Sequence, residues 1–81
     1  MHDYEVEIEH NNLHYLVLAD LDQEGTYEED SEWLDITSDP VFYNYLVLHP
    51  EDFSIDSDTE GAIIKKATQV LNNVYWDRTL T

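Results

Sequence analysis

Residues 4–9 alternate strictly, with Tyr4, Val6 and Ile8 set against Glu5, Glu7 and Glu9. A period of two with β-branched members predicts a half-buried strand whose glutamates face water. His10-Asn11-Asn12 predicts a tight turn, because asparagine tolerates positive φ. Residues 13–19 then predict a second strand, antiparallel to the first. Leu13, Tyr15 and Val17 face one way, and His14, Leu16 and Leu18 the other. Both faces are largely apolar, as expected of a central strand or of one with a face covered by another segment.

The pattern lapses over residues 20–30, which are polar and acid-rich and read as a loop or a frayed strand extension. Residues 33–36 allow a short strand. Asp39-Pro40 fits either a turn or the cap and first turn of a helix. The next run, 41–48, is aromatic and β-branched, which favours a strand over a helix. Pro50 is expected to end it, and residues 51–56 to connect onward. Ser57-Asp58-Thr59-Glu60 matches the capping box, in which a hydroxyl and a carboxylate three residues later satisfy free amides. Ile63, Ala67, Val70, Leu71 and Val74 follow at helical spacing, widened by Ile64 and Tyr75. A helix over about 58–76 is expected, with residues 78–81 a short tail.

These elements assemble as one domain over 1–81. The expected fold is α+β: a small antiparallel meander of three or four strands, packed by one C-terminal helix in two layers. Val6, Ile8, Tyr15, Val17, Val70, Leu71 and Val74 are expected to be mutually buried. One internal echo supports the strand assignments. Tyr15-Leu16-Val17-Leu18 recurs as Tyr45-Leu46-Val47-Leu48, and Asp20-x-Asp22-x-Glu24-Gly25 as Asp56-x-Asp58-x-Glu60-Gly61.

Charge changes the picture most. Nineteen acids against three bases give a net charge of −16 in 81 residues. The first 64 residues hold eighteen acids and no Lys or Arg; Lys65, Lys66 and Arg78 come after them. Such a surface repels nucleic acid and anionic membranes and attracts basic proteins or divalent cations. At 42% hydrophobic, the chain is too apolar for a disordered acidic tail. Crowded carboxylates are expected to titrate above their ordinary values, so that stability falls as pH rises. Neither a signal peptide nor a membrane-spanning apolar run is apparent, and a cytoplasmic location is the expectation.

Catalytic chemistry finds little footing. The chain has no cysteine, none of its serines lies in a Gly-x-Ser-x-Gly elbow, and two glycines cannot form a phosphate-binding loop. Both Asp-x-Asp-x-Glu-Gly stretches open like an EF-hand loop, but the closing glutamate required at position twelve is Ser31 in one and Ala67 in the other. His2, His10, His14 and His49 have no cysteine to complete a zinc set, and their spacing does not gather them. No enzyme activity, cofactor or metal site is expected; loose divalent-cation binding by the acidic loops is a third functional reading.

Two binding surfaces compete. On a strand, alternate residues lie about 6.6 Å apart. Glu5, Glu7 and Glu9 therefore form a rigid row of negative charge, with a step comparable to that between phosphates of a nucleic-acid strand. Asp20, Asp22, Glu24, Glu28 and Glu29 could extend it. In size, charge and strand-borne acids the chain resembles small bacteriophage-type proteins that mimic nucleic acid against host restriction, CRISPR or DNA-packaging proteins. The resemblance is one of composition, and no motif carries residues over. It implies a basic, nucleic-acid-binding protein as partner, with no direct contact to nucleic acid or membrane. The alternative is a generic binding domain with an aromatic patch of Tyr43, Tyr45 and Trp76, its acidity serving solubility or a high-salt environment.

Overall fold

The computed structural model describes residues 2–49 and 55–80. Five strands and one helix follow in order: β1 (Tyr4–His10), β2 (Leu13–Gln23), β3 (Thr26–Glu29), β4 (Leu34–Ser38), β5 (Val41–Leu48) and α1 (Ser57–Leu80). β1, β2 and β5 form an antiparallel sheet in that order, and β3 and β4 form a separate hairpin. The architecture is α+β, as the hydrophobic pattern predicts. Pro50 and most of the 51–56 connection lie outside the described residues.

The first hairpin follows from its turn. Asn11 and Asn12 have φ of 51° and 66°, the conformation that joins strands through two residues, and His10 pairs with Leu13 across it. The side-chain parity this sets puts Val6, Ile8, Tyr15, Val17 and Ala19 on one face, all buried. Glu5, Glu7 and Glu9 stand exposed on the other.

β2 runs four residues past the expected end, because β5 supplies partners after β1 has stopped: Asp20 pairs with Tyr43 and Leu21 with Phe42. β3 was not expected as a separate strand, since residues 20–30 read as a loop or a frayed strand extension; the short strand allowed at 33–36 appears as β4. Every residue of β3 and β4 is exposed; Leu34 and Ile36 alternate with polar residues in β4, but β3 carries no such apolar alternation. Asp30 and Trp33 close the tip of this hairpin by exchanging backbone hydrogen bonds at 2.9 and 3.3 Å.

α1 begins one residue earlier than the Ser57 capping box implies. Asp56 is the cap: its Oδ1 accepts from the Thr59 N–H at 2.8 Å and its carbonyl from the Glu60 N–H at 3.0 Å. The helix also absorbs the expected tail and continues to Leu80. Its buried residues are Ile63, Ala67, Leu71, Tyr75 and Trp76. Each four-residue step overshoots a full turn by about 40°, so the buried stripe winds round the helix axis. Val70 falls off that stripe and is 37% exposed, and Val74 is half-buried. The expected mutual burial of Val70 with the strand core is therefore corrected.

The core lies between the inner sheet face and α1, with Phe42 completing it. The helix runs antiparallel to β1. The Arg78 guanidinium lies 4.9 Å from the Tyr4 ring centroid at one end of the strand, and Lys66 Nζ is 3.0 Å from His10 Nδ1 at the other. The hairpin joins this body at its base. Gly25 N–H donates to the Tyr75 hydroxyl at 3.1 Å, and Tyr27 meets Trp76 edge-on with centroids 5.9 Å apart. The molecule is elongated, with extents of 50 × 24 × 21 Å.

Candidate interaction surface

The anticipated acid row divides into three groups. Glu5, Glu7 and Glu9 form the first, in line on the outer face of β1 and free of the core. His14, on the neighbouring strand, places Nδ1 2.9 Å from Glu7 Oε1. A β-strand repeat sets the carboxylates about 6.6 Å apart along the strand.

Asp20 belongs to a different arrangement. It also points to the outer face, but it is half-buried and engaged. The Asn44 side-chain amide donates to its Oδ2 at 2.9 Å and the Asp3 N–H to its Oδ1 at 3.0 Å, while His2 Nδ1 lies 3.4 Å away. Asp3 returns the contact by accepting the Leu21 N–H at 3.1 Å. The Asn44 amide first, then the Asp3 N–H, hold the Asp20 carboxyl below the usual carboxylate range. Thr59 does the same for Asp56 through its own hydrogen bonds. For these two groups the shift is opposite to the rise expected from crowding, because the local hydrogen-bond donors outweigh desolvation.

The remaining acids lie elsewhere. Asp22 is the extra residue of a bulge: two steps on β2, from Leu21 to Gln23, face one on β5, from Phe42 to Val41. Glu24 stands exposed in the link to the hairpin. Glu28 and Glu29 are consecutive in β3 and so point to opposite sides of it. Glu28 pairs directly with Asp35, two like charges face to face. Glu28, Glu29, Asp30, Trp33 and Asp35 line an open depression near the hairpin tip.

The aromatic alternative is not assembled. Between Leu18–Leu46 and Asp20–Tyr43, β2 advances two residues and β5 three, so β5 carries a bulge. Asn44, with φ of 57°, is the inserted residue. One extra residue reverses the parity. Tyr43 is exposed on the outer face, whereas Tyr45 packs against the core and shares a 3.0 Å hydrogen bond with the Thr68 hydroxyl. Trp76 is only 7% exposed and also belongs to the core. The large exposed aromatic that sequence reasoning missed is Trp33, 72% exposed at the hairpin tip. Set between Glu32 and Leu34 at the start of the short strand allowed at 33–36, it was not singled out as an exposed residue.

The inner and outer sheet faces differ in charge. The three permanent cations all lie on or beside the helix layer, two of them engaged at the ends of β1. No group of three or more His, Asp or Glu side chains among the described residues is arranged to hold a metal ion. Among the described residues no helix is long and apolar enough to cross a membrane. Comparison with family models, curated proteins and solved structures returns no match to this chain.

Proposed function

We propose that this chain is a non-enzymatic, acidic interaction domain that binds a basic protein through the outer face of its three-stranded sheet. In this reading the partner is a protein whose basic groove otherwise holds nucleic acid, and the chain blocks that groove. The observation that carries the reading is the exposed line of Glu5, Glu7 and Glu9 on one sheet face, with every Lys and Arg of the chain on or beside the opposite layer. A solubilising surface ordinarily mixes charges of both signs. This face carries carboxylates at strand spacing, fixed by a backbone that is hydrogen-bonded along its length.

The test is a competition titration. The partner is captured from lysate, identified, and purified. Its nucleic-acid complex is then titrated with wild-type chain and with the triple variant Glu5→Gln, Glu7→Gln, Glu9→Gln. Wild type is expected to displace nucleic acid with a steep dependence on ionic strength, since attraction between exposed charges is screened over about 10 Å at 0.1 M salt. The triple variant is expected to lose at least about tenfold in affinity while keeping its fold, as three exposed charge pairs account for most of the steering. Equal competition by the variant refutes the proposal.

A further inference from the structure

The outer sheet face has a second component beside its acids. The register sets Glu5, Leu18 and Leu46 side by side across the three strands, and likewise Glu7, Leu16 and Leu48. Charge occupies β1 in both ranks, and leucine occupies β2 and β5. Leu46 and Leu48 are 44% and 42% exposed, and Leu16 and Leu18 are half-buried. None of the four packs against the buried core, which lies on the other face. A chain of net charge −16 thus leaves a contiguous leucine patch on its surface. Apolar patches rimmed by charge mark interaction sites.

Width and charge together define the occupant. Three strands at about 4.8 Å spacing place β1 and β5 roughly 10 Å apart. A single α-helix with its side chains is about 10–12 Å across. We infer that the partner presents an amphipathic cationic helix to this face. Its apolar stripe lies on Leu16, Leu18, Leu46 and Leu48, and the flank turned toward β1 carries Lys or Arg against Glu5 and Glu7. This rests on the proposed function and adds the shape and the second chemistry of the partner's contacting element. A purely polar basic segment leaves the leucines in water. A second copy of the chain does not serve. Two outer faces stacked about a two-fold axis set the glutamate row against its twin or against leucine. The exposed part of α1 around Lys65 and Lys66 offers only Val70 as an exposed large aliphatic, with Leu80 far along the helix.

The probe is a synthetic peptide of about 18 residues, five helical turns, with leucines along one stripe and lysines along one flank. A control peptide has the same composition with the leucines scattered round the helix. Binding is followed by fluorescence anisotropy over a range of salt, and contacts by methyl NMR of the wild-type chain. The amphipathic peptide is expected to bind at least about tenfold tighter than the control, from apolar burial that the control cannot match. The methyls of Leu16, Leu18, Leu46 and Leu48 should shift on binding. The double variant Leu46→Asn, Leu48→Asn should lose roughly tenfold at unchanged salt slope, whereas the triple Gln variant should flatten the slope. Equal binding of both peptides, with the leucine methyls unmoved, overturns the helix inference and leaves the acid-row reading standing. If the triple Gln variant binds every basic probe as wild type does, both fall. Should the double variant lose its cooperative melt, the wild-type methyl shifts decide.

Discussion

Val70 and Leu71 are neighbours in sequence but stand about 100° apart on the helix circumference. Leu71 is fully buried between the sheet and α1, while Val70 is 37% exposed. Truncating Leu71 to alanine removes aliphatic atoms from a site closed on all sides, a change that costs about 2–5 kcal/mol. At roughly 0.05–0.15 kcal/mol per residue, a domain of this size has about 4–12 kcal/mol in total. Leu71→Ala therefore removes a large part of the stability. At about 4–8 °C per kcal/mol for a small domain, its melting temperature should drop by some 10–40 °C. Val70→Asp places its charge where the side chain already meets water, and should cost about 1 kcal/mol or less. Urea titrations of both variants, read by helical circular dichroism and by Trp76 emission, test this directly. If Val70→Asp abolishes the transition while Leu71→Ala melts close to wild type, the helix rests on the sheet by a different stripe and the core described above is wrong.

Three further outcomes follow from particular contacts. A methyl group added at Gly25 would lie 2.5 Å from Trp76 Cζ2 and 2.9 Å from the Ser38 carbonyl oxygen. Gly25→Ala should therefore cost about 1–3 kcal/mol by overpacking, and an unchanged urea midpoint would show that the hairpin base is not seated on Trp76. Asp20 and Asp56 have folded-state pKa values below their unfolded ones. The unfolded chain then binds more protons, so their contribution is complete above the ordinary carboxyl range near 4 and lost as pH falls through the lower folded values. Replacing both by Asn should flatten the acid limb of a stability–pH curve, and superimposable limbs would contradict the hydrogen-bonding described. Finally, Trp33→Phe should leave blue-shifted emission from buried Trp76 that acrylamide quenches poorly, and Trp76→Phe should leave the red-shifted, readily quenched emission of Trp33; the reverse assignment would place the wrong tryptophan at the hairpin tip.

The parts of the fold legible in the sequence are those where one face is buried and the other wet. The alternation over residues 4–9 and the Asn11-Asn12 turn give β1, its partner and their register. The second hairpin was only half legible: the short strand allowed at 33–36 is β4, but its partner Thr26–Glu29 is exposed on both sides and carries no pattern that burial would impose. The extension of β2 did leave a trace, since Ala19, Leu21 and the intervening Asp20 alternate, but acids at strand positions argue against a strand on propensity alone. The helix stripe misled because a fixed apolar arc ignores the drift of successive four-residue steps, which moves the buried line from Ile63 toward Tyr75 and leaves Val70 behind. For the candidate site, Glu5, Glu7 and Glu9 were readable from parity. The aromatic patch was not, because one inserted residue, Asn44, turns Tyr43 and Tyr45 to opposite faces. Asparagine's tolerance of positive φ was the only sign of it.

The repeated Tyr-Leu-Val-Leu run connects these observations. Its two copies pair with one another antiparallel, Val17 opposite Val47, with Leu16 opposite Leu48 and Leu18 opposite Leu46. In both copies the valine turns toward the helix and the leucines turn away from it. Strands apolar on both faces are the sequence signature of a sheet covered on both sides. Among the described residues only the inner face has a cover. The outer face therefore retains apolar surface for which the described residues supply no layer, bordered on β1 by glutamates that also discourage another strand from pairing with that edge. β5, on the opposite border, has no charged residue in its eight positions. The helix inferred above would thus meet charge on one side and an uncharged border on the other. The same register that builds the core sets leucines along the centre of the outer face and glutamates along one flank, the pattern from which the cationic amphipathic helix was inferred.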